Sequence, residues 1–256
     1  MVIFLLLFPI LFSQNLRIEN KSQAISILNN EFGGSGKTFF CECPYFRRDI
    51  NLKPCGFSFD KFFDRQKRVE WVSVVSEESM ARSFKSYGGN ESCKRIKDIP
   101  TRSRMRSMGR SVSYGSYTLT PKPFEGIECV RKVDELFRRM ESDLYNLVPE
   151  VGGIGELKKE SKLADIEVFV SQFGSCNLKI LNNLFTPPSS LKGDVARIFL
   201  YMDFAYPGRN IISLKEKKLI DQWNKMDPVS KDECERARKI QEIQGNENPF
   251  VNKLCK

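Results

Sequence analysis

The hydrophobic and polar positions divide the chain into distinct regimes. Residues 2–12 (VIFLLLFPILF) are an unbroken apolar run, followed at once by polar Ser13, Gln14 and Asn15. In residues 20–32, Ala24, Ile27, Leu28 and Phe32 recur at helical spacing, and Gly33-Gly34 follow, which predicts a short helix with a sharp stop. Over 37–75 the pattern changes: Thr38–Phe40, Phe57–Phe59 and Val69–Val75 are β-rich runs separated by Pro44, Pro54 and Gly56, and predict short strands or hairpins. From Cys129 onward, Val130, Val133, Leu136, Phe137, Met140, Leu144 and Leu147 recur at three- and four-residue steps up to Pro149. That spacing predicts an amphipathic helix over 130–146, with Asn146 near its C-terminal end. Residues 194–206 are apolar nearly all round, as expected of a buried helix, and Ser213/Glu216 and Ser230/Glu233 fit capping boxes that open two further helices. Gly245 ends the last of them. No internal repeat or linker interrupts this order, so it reads as one helix-rich α+β domain.

One segment has no periodicity. Residues 94–126 are rich in Ser, Gly, Pro and Arg, and between Lys94 and Ser111 they hold seven cations against the single acid Asp98. The whole chain of 256 residues carries 41 Lys+Arg and 32 Asp+Glu, a net charge of +9, so most of the basic excess lies in this one loop. Arg102, Arg104, Arg106 and Arg110, with Tyr114 and Tyr117 behind them, suit contacts to phosphate oxygens with aromatic stacking. A solvated loop and an anionic membrane surface are the competing readings of the same charge.

The apolar leader is too short to span a bilayer as a helix and has the length of a secretory h-region, so residues 1–13 are expected to be a signal peptide. A buried N-terminal strand or helix is the alternative. Export agrees with the cysteines: Cys41, Cys43, Cys55, Cys93, Cys129, Cys176, Cys234 and Cys255 are even in number and spread across the chain. Four disulfides are possible, with 105 connectivities open. One between Cys93 and Cys129 would tether the basic loop. Zinc is disfavoured, because Cys41-x-Cys43 is too close for a knuckle and no second pair follows at ligand spacing.

The chain contains no histidine. This excludes Ser-His-Asp and Cys-His catalysis, His-ligated metals and His as a general base. Among the acids, Glu141 and Asp143 read as a charged helix face, and Gly245–Phe250 as a helix cap followed by an Asx-type turn. From the residues alone the chain is a secreted or periplasmic, disulfide-linked, basic α+β domain.

Several stretches nevertheless resemble the bacterial endonuclease I family in collinear order over residues 20–256. They are Thr38-Phe39-Phe40-Cys41-x-Cys43, Cys55-Gly56-Phe57, Arg68-Val69-Glu70-Trp71, Arg139-Met140-Glu141-Ser142-Asp143-Leu144-x-Asn146-Leu147, Trp223-Asn224-Lys225-Met226-x-Pro228-Val229, Cys234-Glu235-Arg236 and Gln244-Gly245-Asn246-x-Asn248-Pro249. The resemblance implies a secreted or periplasmic nuclease cutting DNA or RNA with little sequence preference. It implies a fold around a ββα-metal, His-Me finger-like element, in which a Glu-His pair and an Asn on the following helix work with Mg2+. The 94–128 segment is then a basic insertion.

Carried onto this chain, the Glu-His pair falls on Val72 and Ser73, and the Asn ligand on Asn146. Val72 has no oxygen for a hard cation, and Ser73 is no base near neutral pH without an activating partner. Two histidines common in the family are replaced by Tyr145 and Glu247, and Arg110 is a candidate for a phosphate-steadying arginine. The first expectation is therefore a monomeric pseudonuclease, binding DNA or RNA with lost or impaired hydrolysis and with no stable membrane insertion. The alternatives are an active Mg2+-dependent nuclease rebuilt around Glu70, Glu77 or Glu78, and a secreted module binding a protein or a membrane surface.

Overall fold

The computed structural model describes residues 14–89, 93, 125–167 and 171–255. The expected signal peptide at 1–13 and Arg102, Arg104, Arg106 and Arg110 of the basic segment lie outside the described residues.

Helix α1 (Lys21–Phe32) forms where the sequence predicts it. The Asn20 side chain caps it by accepting from the Ser22 and Gln23 N–H groups, Ala24 and Leu28 are its buried stripe, and Gly33 ends it. A three-stranded antiparallel sheet follows, β1 (Ser35–Lys37), β2 (Pro44–Phe46) and β3 (Asp49–Ile50), with the one-turn helix α2 (Leu52–Cys55) behind it. The run Thr38–Phe40 is a turn rather than a strand, and Phe57–Phe59 is irregular. Both use their aromatic rings as packing groups: Phe40 meets Phe185 edge-on at 5.2 Å, and Phe57 stacks on Phe173 at 5.9 Å.

Strand β4 (Val69–Ser73) pairs antiparallel with β5 (Leu147–Val151), in a register that places Val72 opposite Val148 and Ser73 opposite Leu147. Two short helices lie between them in sequence beside the undescribed segment, α3 (Glu77–Ala81) and α4 (Gly126–Val133), followed by α5 (Glu135–Glu141). The single helix expected over 130–146 is thus broken twice. Asp134 is extended between α4 and α5, and Asp143 is extended before a 3-10 turn at Leu144–Asn146. The apolar spacing was tracking burial correctly, since Val130, Phe137, Met140, Leu144 and Leu147 are all core residues. Helix loses at Asp143 because this carboxylate is a buried hub, accepting from the hydroxyls of Tyr201 and Tyr206 at 2.7 Å each and from the Gln244 amide at 3.0 Å. Glu141 is buried as well, so neither acid belongs to a solvated helix face. Pro149 does not end a helix either. It sits inside β5, where a two-stranded sheet leaves one side unpaired by strands and tolerant of proline.

Helix α6 (Ile154–Lys158) leaves β5 through Gly152-Gly153 and packs back across β4 and β5. The two strands and this helix form a ββα layer. Strands β6 (Lys162–Leu163), β7 (Lys179–Leu181) and β8 (Leu184–Thr186) make a small mixed sheet, and α7 (Lys192–Ala205), α8 (Leu214–Met226) and α9 (Lys231–Gln244) complete the chain. α7 is buried nearly all round, as its composition requires, and both capping boxes form, at Ser213/Glu216 and Ser230/Glu233. Gly245 caps α9 at φ +85°, a conformation open to glycine.

All eight cysteines are paired: Cys41–Cys176, Cys43–Cys55, Cys93–Cys129 and Cys234–Cys255. The third closes the base of the basic segment as the sequence allows. Four disulfides fit a secreted protein. Among the described residues no helix is long and apolar enough to cross a membrane.

Candidate nuclease-like cleft

The ββα layer carries a cleft of about 360 Å3 between β4, α3, α4 and α6. Its floor is the end of β4, with Glu70, Trp71, Val72 and Ser73, and its far wall is α6, with Gly155, Glu156, Lys158 and Lys159. The fit between strand and helix is close: a Cβ on Gly155 would stand 3.1 Å from Cγ2 of Val72. The two side-chain positions that face each other across the layer therefore carry an isopropyl group and a hydrogen.

Ser73 is mostly buried and donates its hydroxyl to Glu77 Oε1 at 3.0 Å. Glu77 also accepts from Lys21, and from Arg131 Nη2 at 3.2 Å. Arg131 is shared, since its Nε reaches Glu141 at 2.9 Å. Burial raises the Glu141 carboxyl above its ordinary range, against the pull of Arg131. Glu70 is clamped bidentately by Arg65, at 2.8 Å to each oxygen, and accepts from the Gly153 N–H at 3.1 Å. Burial works to raise its carboxyl, but these donors and the arginine charge together hold it below the ordinary value. Glu78 is taken by the Tyr87 hydroxyl and by Arg82 at 3.4 Å.

Asn146 is not on the helix that faces Val72. It lies in the 3-10 turn before β5, fully buried, with Oδ1 accepting from the Val75 N–H at 2.7 Å and Nδ2 donating to the Val75 carbonyl at 3.0 Å. Its amide extends the β4–β5 ladder by one side-chain rung and does not line the cleft. Tyr145 is buried too, its hydroxyl reaching the carbonyls of Ala237 and Asn246, while Glu247 is exposed.

The residues present do not fit a divalent cation. Val72 and Gly155 offer no oxygen, the Asn146 amide is engaged by the Val75 backbone, and each nearby carboxylate is held by at least one cation. No cluster of three metal-ligating side chains occurs among the described residues. By formal charge the cleft is also balanced, with Lys21, Arg65, Arg131, Lys158 and Lys159 set against Glu70, Glu77, Glu78, Glu128 and Glu156.

Two site residues escape a reading of the sequence. Gly155 could have been flagged by the Gly152-Gly153-Ile154-Gly155 run, which lets a short helix approach a strand closely. Lys158 gave no signal in the sequence. Its amine is buried and donates to the Val74 carbonyl at 2.7 Å, and burial pushes it down to about 7 against the counter-pull of Glu77.

Comparison with known proteins identifies the family. A family model described as Endonuclease I matches residues 121–255. The chain is 30% identical over 244 residues to Endonuclease-1 of Buchnera aphidicola subsp. Acyrthosiphon pisum (strain APS), covering 93% of this chain and 82% of that protein. It is 27% identical over 237 residues to an extracellular deoxyribonuclease of Aeromonas hydrophila, covering 89% of this chain and 86% of that one. A periplasmic deoxyribonuclease of the same species is 26% identical over 227 residues, or 85% and 79% of the two chains. With the matched C-terminal half and near full-length similarity to these proteins, the chain belongs to the endonuclease I family.

Proposed function

We propose that this protein is an exported, nucleic-acid-binding member of the endonuclease I family whose own phosphodiester hydrolysis is lost or strongly impaired. The observation that carries this reading is the pairing of Val72 with Gly155 across the cleft, beside a serine in place of a base. Metal-assisted hydrolysis needs oxygen ligands that hold the ion and a group that takes a proton from water. Neither side of the layer supplies them, and we derive no hydrolytic step through a metal. The balanced cleft charge argues that phosphate affinity draws on cations elsewhere, above all Arg102, Arg104, Arg106 and Arg110, with Asn146 serving the fold rather than a ligand set.

Nicking of supercoiled plasmid, with and without Mg2+, tests the reading. The expected result is no metal-dependent cutting, while gel-shift titration of the same protein shows salt-dependent binding of DNA or RNA. Cutting that requires the metal would overturn it.

A second reading is favoured by one contact and by the names of the relatives. Glu77 touches Ser73 in the cleft, and a carboxylate there is the best-placed remaining proton acceptor. On that reading the protein is an active endonuclease, and Glu77→Gln abolishes cutting while leaving DNA binding intact.

A further inference from the structure

The tip of the β2–β3 hairpin carries an unusual backbone. Phe46 pairs with Asp49, so Arg47 and Arg48 form a two-residue loop, and both have positive φ, +49° and +69°. A tight hairpin of this kind favours Asn-Gly, because side chains with a full Cβ resist the left-handed region. Two arginines held there point to a use for their side chains at this place. The backbone is pinned on both flanks: the Arg47 N–H donates to the Gly34 carbonyl at 2.7 Å, and the Val69 N–H to the Arg48 carbonyl at 2.9 Å. Beside the tip, Phe46 is 63% exposed, and the Arg47 guanidinium lies over its ring, 5.2 Å from the centroid.

Sheet register connects this tip to the cleft. Phe46 is opposite Asp49, and Asp49 forms a bridge with Arg68, so the three form one cross-strand row. Residues alternate faces along an extended chain, so Arg68, Glu70 and Val72 continue that row into the cleft. From strand spacing, Phe46 lies about 10 Å from Arg68, and Glu70 about 7 Å beyond it, a span of a few nucleotides. Arg68 is half exposed and, among the described residues, its side chain is tied to exposed Asp49 alone, at 2.9 Å, a surface pair readily lent to another anion.

We propose that Phe46, Arg47 and Arg68 form a stacking and phosphate-binding site for an unpaired stretch of single-stranded nucleic acid leading to the cleft. The proposal rests on the nucleic-acid-binding reading above. An exposed phenyl ring stacks most readily on a base whose face is not already covered by its neighbours, as in an unpaired strand, and the neighbouring guanidinium groups match the phosphates on either side. A duplex covers every internal base face and offers the Phe46 ring only its two ends, so it gains less from that ring.

The test is fluorescence anisotropy at low salt with a labelled oligo-dT strand of about 12 nucleotides and a blunt duplex of the same length. The wild type should prefer the single strand. Phe46→Ala should weaken single-strand binding at least about 5-fold and change duplex binding less than about twofold. Phe46→Trp should keep the affinity and Phe46→Leu should lose it. Arg47→Ala should weaken binding and reduce the salt slope by about 0.7. The exposure of both residues keeps the variants folded, which thermal melting checks. A Phe46→Leu variant equal to wild type, or equal losses on single strand and duplex, overturns the site alone. A wild type that binds neither form overturns both the site and the reading beneath it.

Discussion

Gly155 faces Val72 across the junction of α6 and β4, so closely that a methyl group on the glycine would lie 3.1 Å from the valine side chain. One residue stands on the strand and the other on the helix of the ββα layer, so neither side chain brings an oxygen to their junction.

On the reading proposed above, this relationship predicts how hydrolysis could be restored. Val72→Glu with Ser73→His returns an acid and a base to β4 but leaves the helix side without a ligand. Metal-dependent plasmid nicking by that double variant should therefore be weak. Adding Gly155→Asn, which supplies an amide oxygen opposite position 72, should raise the rate about 10- to 100-fold further, in keeping with the usual weight of one supporting ligand. Equal rates for the double and triple variants would show that α6 plays no part.

Asn146 should behave as a structural residue. Asn146→Ala leaves the buried Val75 N–H and carbonyl without their side-chain partner and should cost about 1–3 kcal/mol of stability. Urea unfolding measures this cost. Below the transition, affinity for nucleic acid should match the wild type, whereas a ligand role would make binding or metal response fall first.

Two buried ionisable groups give stability opposite slopes with pH. Glu150, buried on β5, accepts from the Phe40 N–H at 2.6 Å and from Val151, yet burial raises it to about 7. It binds a proton more tightly folded than unfolded, so its favourable contribution is present below its unfolded value and is lost as pH rises to about 7. Lys158 is depressed to about 7, so its contribution is complete above its unfolded value near 10.5 and is lost as pH falls to about 7. Glu150→Gln should flatten the acid limb by on the order of 3 kcal/mol and Lys158→Met the alkaline limb by on the order of 5 kcal/mol. Urea midpoints at pH 5, 7 and 9.5 read both, and variants with unchanged slopes would contradict the assignment.

The disulfides should differ in weight. Cys41–Cys176 joins positions 135 apart in sequence and Cys43–Cys55 only 12 apart. In a chain-entropy account, removing the first should cost about 5 kcal/mol and the second about 3. Paired serine variants compared by thermal unfolding check the order.

Much of this molecule is determined locally. Capping side chains at Asn20, Ser213 and Ser230, the left-handed stop at Gly245 and the all-round apolar run of α7 act within a turn or two of chain, so they are legible residue by residue. Val72 and Ser73, neither a carboxylate nor an imidazole, are equally legible, because they close a recognisable strand. Three outcomes belong to tertiary structure alone. The apolar spacing over 130–146 registers burial but is blind to the Asp143 hub, whose partners Tyr201, Tyr206 and Gln244 are 58, 63 and 101 residues away. Asn146 sits next to a motif yet turns inward, because its amide completes a ladder with Val75, 71 residues distant. Gly155 enters the site only when α6 folds back over β4, since facing positions are set by packing between elements and not by spacing along either one.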